Sequence, residues 1–149
     1  MIKKILAIDY GDQKIGTAYT DALGITIQPY KTIFTKNSDK VAIYEIKEII
    51  KEKEIEVVVI GMPYNADGTE GERAEKTKQF IKKIKRNFKY SGLEYIEFHI
   101  CDERYTSILA DEALISMNIP QKKAKTFQDS LAAYYILDTF LKQNKEIKN

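Results

Sequence analysis

The chain has 149 residues, 44% of them hydrophobic and 31% charged, which fits a single globular domain with one core and argues against a two-domain enzyme. Its 24 Lys and Arg against 22 Asp and Glu leave +2, a balance that by itself singles out neither nucleic acid nor an acidic membrane as partner. Cys101 is the lone cysteine and His99 the lone histidine, so an internal disulfide and a Cys/His zinc site are both excluded, and a reducing, cytoplasmic location is expected.

The apolar run Ile5 to Tyr10 meets Asp9 too soon for a signal-peptide core or a membrane span, and it reads instead as a first strand. Ile15 to Thr20 and Ile25 to Phe34 are the second and third, joined through Gly11-Asp12-Gln13-Lys14 and Leu23-Gly24; connections this short predict an antiparallel meander. Ser38-Asp39 can cap a helix running to about Lys53, because Ile43, Ile46 and Ile50 recur at helical spacing. Ile55 to Ile60, with Val57-Val58-Val59-Ile60 at its heart, has the continuous apolar character of a strand buried on both faces.

Thr69 and Glu72 form a capping box for a second helix with Thr77, Ile81, Ile84 and Phe88 on one side, ended by Ser91-Gly92. Tyr95 to Cys101 follows as a strand with Ile96, Phe98 and Ile100 alternating inward, and it runs into Asp102-Glu103-Arg104. A helix is expected over about 107–117, stopped by Asn118 and Pro120. The basic stretch Lys122-Lys123-Ala124-Lys125 then precedes a last helix from about Phe127 to Leu141. This order predicts an α/β fold: a five-stranded mixed sheet, antiparallel meander plus parallel strands, with helices on both faces.

Three carboxylates stand out. Asp9 ends the first strand on the pleat face of Ile5 and Ala7, and Glu103 directly follows the last strand, at the strand end where open α/β sheets place ligands. Asp129 precedes Ala132, Ala133 and Ile136 by three, four and seven positions, which puts it on the apolar face of the last helix. Each has a structural reading of its own: Asp9 as a cap of the Gly11 turn, Glu103 as a partner of Arg104 or a lysine, Asp129 as an acid favoured at a helix N-terminus. Together they converge from two strand ends and one helix face. Clustered carboxylates need a cation, and an all-oxygen set without His or Cys suits Mg²⁺ or Mn²⁺. Such a site, with Asp9, Glu103 and Asp129 as metal ligands, would best support phosphodiester hydrolysis.

At these residues the chain resembles the YqgF or RuvX family, Holliday-junction-resolvase-like proteins regarded as pre-16S ribosomal RNA nucleases of the ribonuclease H-like superfamily. The matching blocks are Ile8-Asp9-Tyr10-Gly11 with Lys14-Ile15-Gly16, then Gly61-Met62-Pro63 with Asp67-Gly68-Thr69 and Gly71-Glu72-Arg73-Ala74. Asp102-Glu103-Arg104-Tyr105-Thr106 and Asp129-Ser130-Leu131-Ala132-Ala133 complete them. The resemblance spans nearly the whole chain, 1–149 as one domain, and implies catalytic acids at Asp9, Glu103 and Asp129. Lys14 stands where the family usually has Arg and so lacks the bidentate fork for phosphate, Ser107 where it has a second Thr, and Gln128 where it has an aliphatic residue.

Candidates for contact with a phosphate backbone are Lys14, Arg73 in the first turn of the second helix, Arg104, and Lys122, Lys123 and Lys125 before Asp129; Lys82, Lys83, Lys85, Arg86 and Lys89 read first as a solvated helix face. The polar segment 64–71 leads into a helix N-terminus, a natural anion site. Tyr10, Tyr64 and Tyr105 flank the motifs, as base-stacking platforms or as packing residues. The first 72 residues hold 9 Lys and Arg against 12 Asp and Glu, the remaining 77 hold 15 against 10, so a near-neutral total conceals a basic second half.

The expected function is a metal-dependent nuclease of pre-16S rRNA 5′-end processing, as monomer or dimer, with Holliday junction cleavage or non-catalytic nucleic-acid or transcription-complex binding as alternatives. An actin-like ATP-binding module also places Asp-Tyr-Gly at a first strand end, but this chain is too short for its two lobes.

Overall fold

Five strands, β1 (Ile5–Asp9), β2 (Lys14–Thr20), β3 (Ile27–Phe34), β4 (Val57–Met62) and β5 (Glu97–Asp102), form one sheet in the order β3-β2-β1-β4-β5. The computed structural model describes residues 3–22, 24, 26–103 and 121–143, and in the last stretch the side chains from Ser130 onward. β1 pairs antiparallel with β2, Asp9 opposite Gly16, and β2 antiparallel with β3. β4 lies parallel to β1, Ile8 opposite Ile60, and β5 parallel to β4, Gly61 opposite Cys101. The meander continued by parallel strands is the topology that the order of the elements predicts.

Pleating sorts the core into two layers. Leu6, Ile8, Val58 and Ile60 face α1 (Asp39–Lys53) and α2 (Glu72–Tyr90), while Ile5, Ala7, Val57, Val59 and Cys101 face α3 (Gln121–Gln143) through Ile136, Leu137, Phe140 and Leu141. The two central strands are therefore apolar on both faces, and each fully buried Val, Leu or Ile contributes about 1.5–3 kcal/mol. A one-residue slip of β1 would exchange apolar residues between two apolar layers but would turn Asp9 toward the α1 and α2 layer, away from α3.

α1 starts where its pattern predicts: Ser38 accepts from the Val41 N–H at 3.3 Å, and Ala42, Ile43, Ile46, Ile49 and Ile50 are buried. A tight turn precedes it, with Lys36 and Asn37 at φ 50° and 62° and the Ser38 N–H donating to Thr35 O at 2.9 Å.

Several expectations need correction. Thr69 and Glu72 form no capping box: α2 begins at Glu72 behind Gly71, and Thr69 instead bonds Asp67 Oδ1 and accepts from Asn65 Nδ2. That local network closes the β4–α2 loop upon itself, which takes the Thr69 side chain away from the helix. Strand β4 runs through Gly61 to Met62 rather than ending at Ile60, and β5 is shifted to Glu97–Asp102. Ile96 is buried and Phe98 packs against the core, but Ile100 is exposed, because β5 is an edge strand. The last helix begins at Gln121, so Lys122, Lys123 and Lys125 stand on helical backbone and not in a loop before it. The helix expected over 107–117 lies outside the described residues.

Candidate active site

The carboxyl ends of β1, β4 and β5 meet on the face that α3 covers. Asp9 is the last residue of β1, and Glu103 immediately follows β5, its N–H donating to Met62 O at 3.1 Å and so continuing the parallel pairing one step. Between them stands Gly61. A Cβ on Gly61 would lie 2.5 Å from Glu103 Oε2 and 2.5 Å from Ile136 Cδ1, so the Glu103 carboxyl and the α3 side chain occupy the volume that any other residue would fill.

The missing side chain lets Glu103 reach across β4 to the carboxyl of Asp9, with which it is hydrogen-bonded. Two carboxyls share a hydrogen bond only if one of them is protonated. Burial, then the charge of Asp9 and the hydrogen bond to it, push the Glu103 carboxyl up to about 9, and Asp102 adds to the rise while the Arg73 guanidinium opposes it. Without a bound cation the pair thus holds a proton where positive charge is required. Paired oxygen donors of this kind fit Mg²⁺ or Mn²⁺, and nothing in the pair favours a softer metal.

Helix α3 is fixed at three points. The Phe140 ring packs against His99 at 5.2 Å, Cys101 Sγ lies 3.6 Å from Ile136 O, and Ser130 Oγ donates to Tyr30 O at 2.7 Å. These contacts carry the helix diagonally from β5 to β3, over the strand that ends in Asp9. Ala132 and Ala133, fully or nearly buried, let its backbone lie close to the sheet. The backbone of Asp129 belongs to this helix, but its side chain lies outside the described residues; among those residues no group of three or more His, Cys, Asp and Glu gathers. Residue 129 stands in the helix interior rather than in its first turn, which removes the macrodipole as a reason for an acid there.

Of the candidates for phosphate contact, Arg73 is brought near Glu103, from an exposed position in the first turn of α2. Lys14 is exposed at the start of β2, two positions before the Gly16 that opposes Asp9, and so borders the same sheet end. Arg104 and Tyr105 lie outside the described residues, and of Lys122, Lys123 and Lys125 only the helical backbone is described. Tyr10 is a packing residue: its ring stacks on Phe80 at 4.3 Å and its hydroxyl donates to Asp39 Oδ1 at 2.9 Å. Tyr64 is half-buried against the same core layer.

Gly61 stands in a matching block, but its place beneath the Glu103 carboxyl is not read from the sequence. A glycine inside a buried apolar run is itself a signal of close approach, but followed by Met62-Pro63 it reads as the end of a strand.

A sheet ordered β3-β2-β1-β4-β5, with helices on both faces and one carboxylate closing the first strand and another beyond the last, has the ribonuclease H-like fold. The fold resembles that of Thermus thermophilus RuvC in complex with a Holliday junction substrate, at TM-score 0.58 and 14% identity over 95% of this chain and 96% of that one. The chain belongs to the RuvX family, described as Holliday junction resolvase, which it matches over residues 3–143. Two curated relatives carry the name "Putative pre-16S rRNA nuclease". That of Carboxydothermus hydrogenoformans is 40% identical, covering 98% of this chain and 99% of its own. That of Acetivibrio thermocellus is 38% identical, covering 93% and 94%.

Proposed function

We propose that the chain is a metal-dependent nuclease that hydrolyses phosphodiester bonds, and that its task is 5′-end processing of pre-16S rRNA. The buried, hydrogen-bonded pair Asp9–Glu103 carries this reading: two carboxyls forced together at the open end of a sheet, one of them held protonated in the absence of a cation. The names of the relatives supply the substrate.

Asp9 and Glu103, together with Asp129, would hold Mg²⁺ or Mn²⁺ and serve as the catalytic acids. When bound, the metal supplies the positive charge that activates a water and stabilises the leaving oxygen of an in-line displacement. Gly61 keeps the Glu103 carboxyl beside Asp9, and Ile136 closes the apolar side of the site. Arg73 and Lys14 at the rim, with Arg104, Lys122, Lys123 and Lys125, contact substrate phosphates; such contacts position a strand and carry no sequence information.

Cleavage of a labelled pre-16S fragment in Mg²⁺ or Mn²⁺ by the wild type and by Asp9→Asn tests the chemistry. Equal cleavage by the two removes Asp9 from the mechanism, whereas cleavage by neither favours a non-catalytic binder. Sequencing of 16S rRNA 5′ ends from cells depleted of the protein tests the substrate, and normal ends contradict it. The family description supports a second reading, Holliday junction cleavage, with the same carboxylates and a four-way DNA junction as substrate; symmetric resolution would need two copies acting together.

A further inference from the structure

On the sheet face opposite α3, α1 and α2 enclose a groove of about 1080 Å³. Lys40 from the first turn of α1 and Lys82, Lys83 and Arg86 from α2 line it, against a single acid, Asp39. That acid is already engaged: its Oδ2 accepts from Lys83 Nζ at 2.9 Å and its Oδ1 from the Tyr10 hydroxyl at 2.9 Å. Lys40, Lys82 and Arg86 have no acidic partner among the described residues.

From Gln79 to Tyr90, α2 carries five cations and no acid. The helix dipole favours cations in the last turn, which accounts for Lys89 but not for Lys82, Lys83 or Arg86. Lys40 adds like charge on the facing wall, so the groove offers a concentration of exposed positive charge to an anion. Tyr90 lines the same groove and is 80% exposed, a flat surface on which an unpaired base can stack. Tyr10, the residue after Asp9, bonds to Asp39 in the groove wall, so this wall reaches the strand end that carries the catalytic acid.

We propose that this groove binds a single-stranded segment of the nucleic-acid substrate through its phosphates, as a contact surface separate from the cleavage site. The occupant is a single strand because a base-paired one has no free base for Tyr90. The proposal rests on the nucleic-acid reading above, and binding measured without turnover separates the two.

The test is fluorescence anisotropy of a labelled single-stranded RNA with the full chain in a metal chelator, over a salt series. The probe meets wild type, Lys40→Gln/Lys82→Gln/Arg86→Gln, Tyr90→Ala, and Lys51→Gln/Lys142→Gln as a surface-charge control. The groove triple should bind at least about tenfold more weakly and lower the salt slope by about 0.7 per lysine or arginine removed. Tyr90→Ala should weaken binding with the slope unchanged, and the control should bind as wild type. Wild-type affinity and slope in the groove triple overturn the groove, as does equal weakening by the control, or a Tyr90-independent preference for a duplex of the same sequence. Failure of the wild type to bind any strand overturns the nucleic-acid reading itself.

Discussion

The carboxyl of Glu103 lies across the backbone of Gly61, so close that a Cβ at residue 61 would stand 2.5 Å from Oε2. Asp9 lies on the other side of that backbone, hydrogen-bonded to Glu103. The strand between them, β4, thus makes room for the site by having no side chain at one position. Gly61→Ala should displace Glu103 and press on Ile136, an overpacking cost of about 1–3 kcal/mol. Cleavage should fall by more than that loss of stability explains. Thermal melts alongside single-turnover rates check this; a folded alanine variant with the wild-type rate would show that Glu103 need not cross Gly61.

Glu103→Gln keeps the shape and one hydrogen bond of the carboxyl but removes its charge. A carboxyl raised to about 9 in the folded chain keeps its proton where the unfolded chain, near 4.5, has released it. Its contribution to stability is therefore complete below about 4.5 and is lost as pH rises toward about 9, by at most about 1.4 kcal/mol per pH unit. In a chelator, the melting temperature of the wild type should fall relative to Glu103→Gln between about pH 5 and pH 9, and added Mg²⁺ or Mn²⁺ should reduce the difference. Parallel pH profiles of the two proteins would contradict this.

Tyr10 ties β1 to the start of α1 and stacks on α2. Burial, with the Asp39 carboxylate as hydrogen-bond partner and neighbouring charge, pushes its phenol well above the ordinary tyrosine range. Tyr10→Phe should cost about 1 kcal/mol, or about 2–4 °C in melting temperature, and leave the cleavage rate unchanged. A large loss of rate in a stable Tyr10→Phe variant would return Tyr10 to the substrate-binding residues.

The sequence makes Asp9 and Glu103 legible because Asp9 ends a continuous apolar run and Glu103 follows a strand with an alternating one, at the same end of a parallel sheet. It makes the mixed sheet legible because short connections favour a meander and long helical ones parallel crossovers, but not the strand order, since neither connection says that β4 pairs with β1 rather than with β3. The start of α3 was hidden by the absence of an apolar phase in Lys122-Lys123-Ala124-Lys125, although Lys and Ala are good helix formers, and helix propensity was the available signal. Thr69 misled for the opposite reason: a correct capping spacing lost to closer partners in Asn65 and Asp67. Nor does a glycine after Val57-Val58-Val59-Ile60 distinguish a strand end from a clearing for a carboxyl, because that depends on a residue far along the chain.

The most direct measurement is the Mg²⁺-dependent cleavage rate of a labelled pre-16S fragment by the wild type and by Asp129→Asn, with melting temperatures taken on the same samples. Asp129 occupies the helix interior, where no macrodipole favours an acid, so its exchange for Asn should leave folding intact and slow cleavage by at least about 100-fold. A folded Asp129→Asn that cleaves at the wild-type rate would contradict a three-carboxylate nuclease.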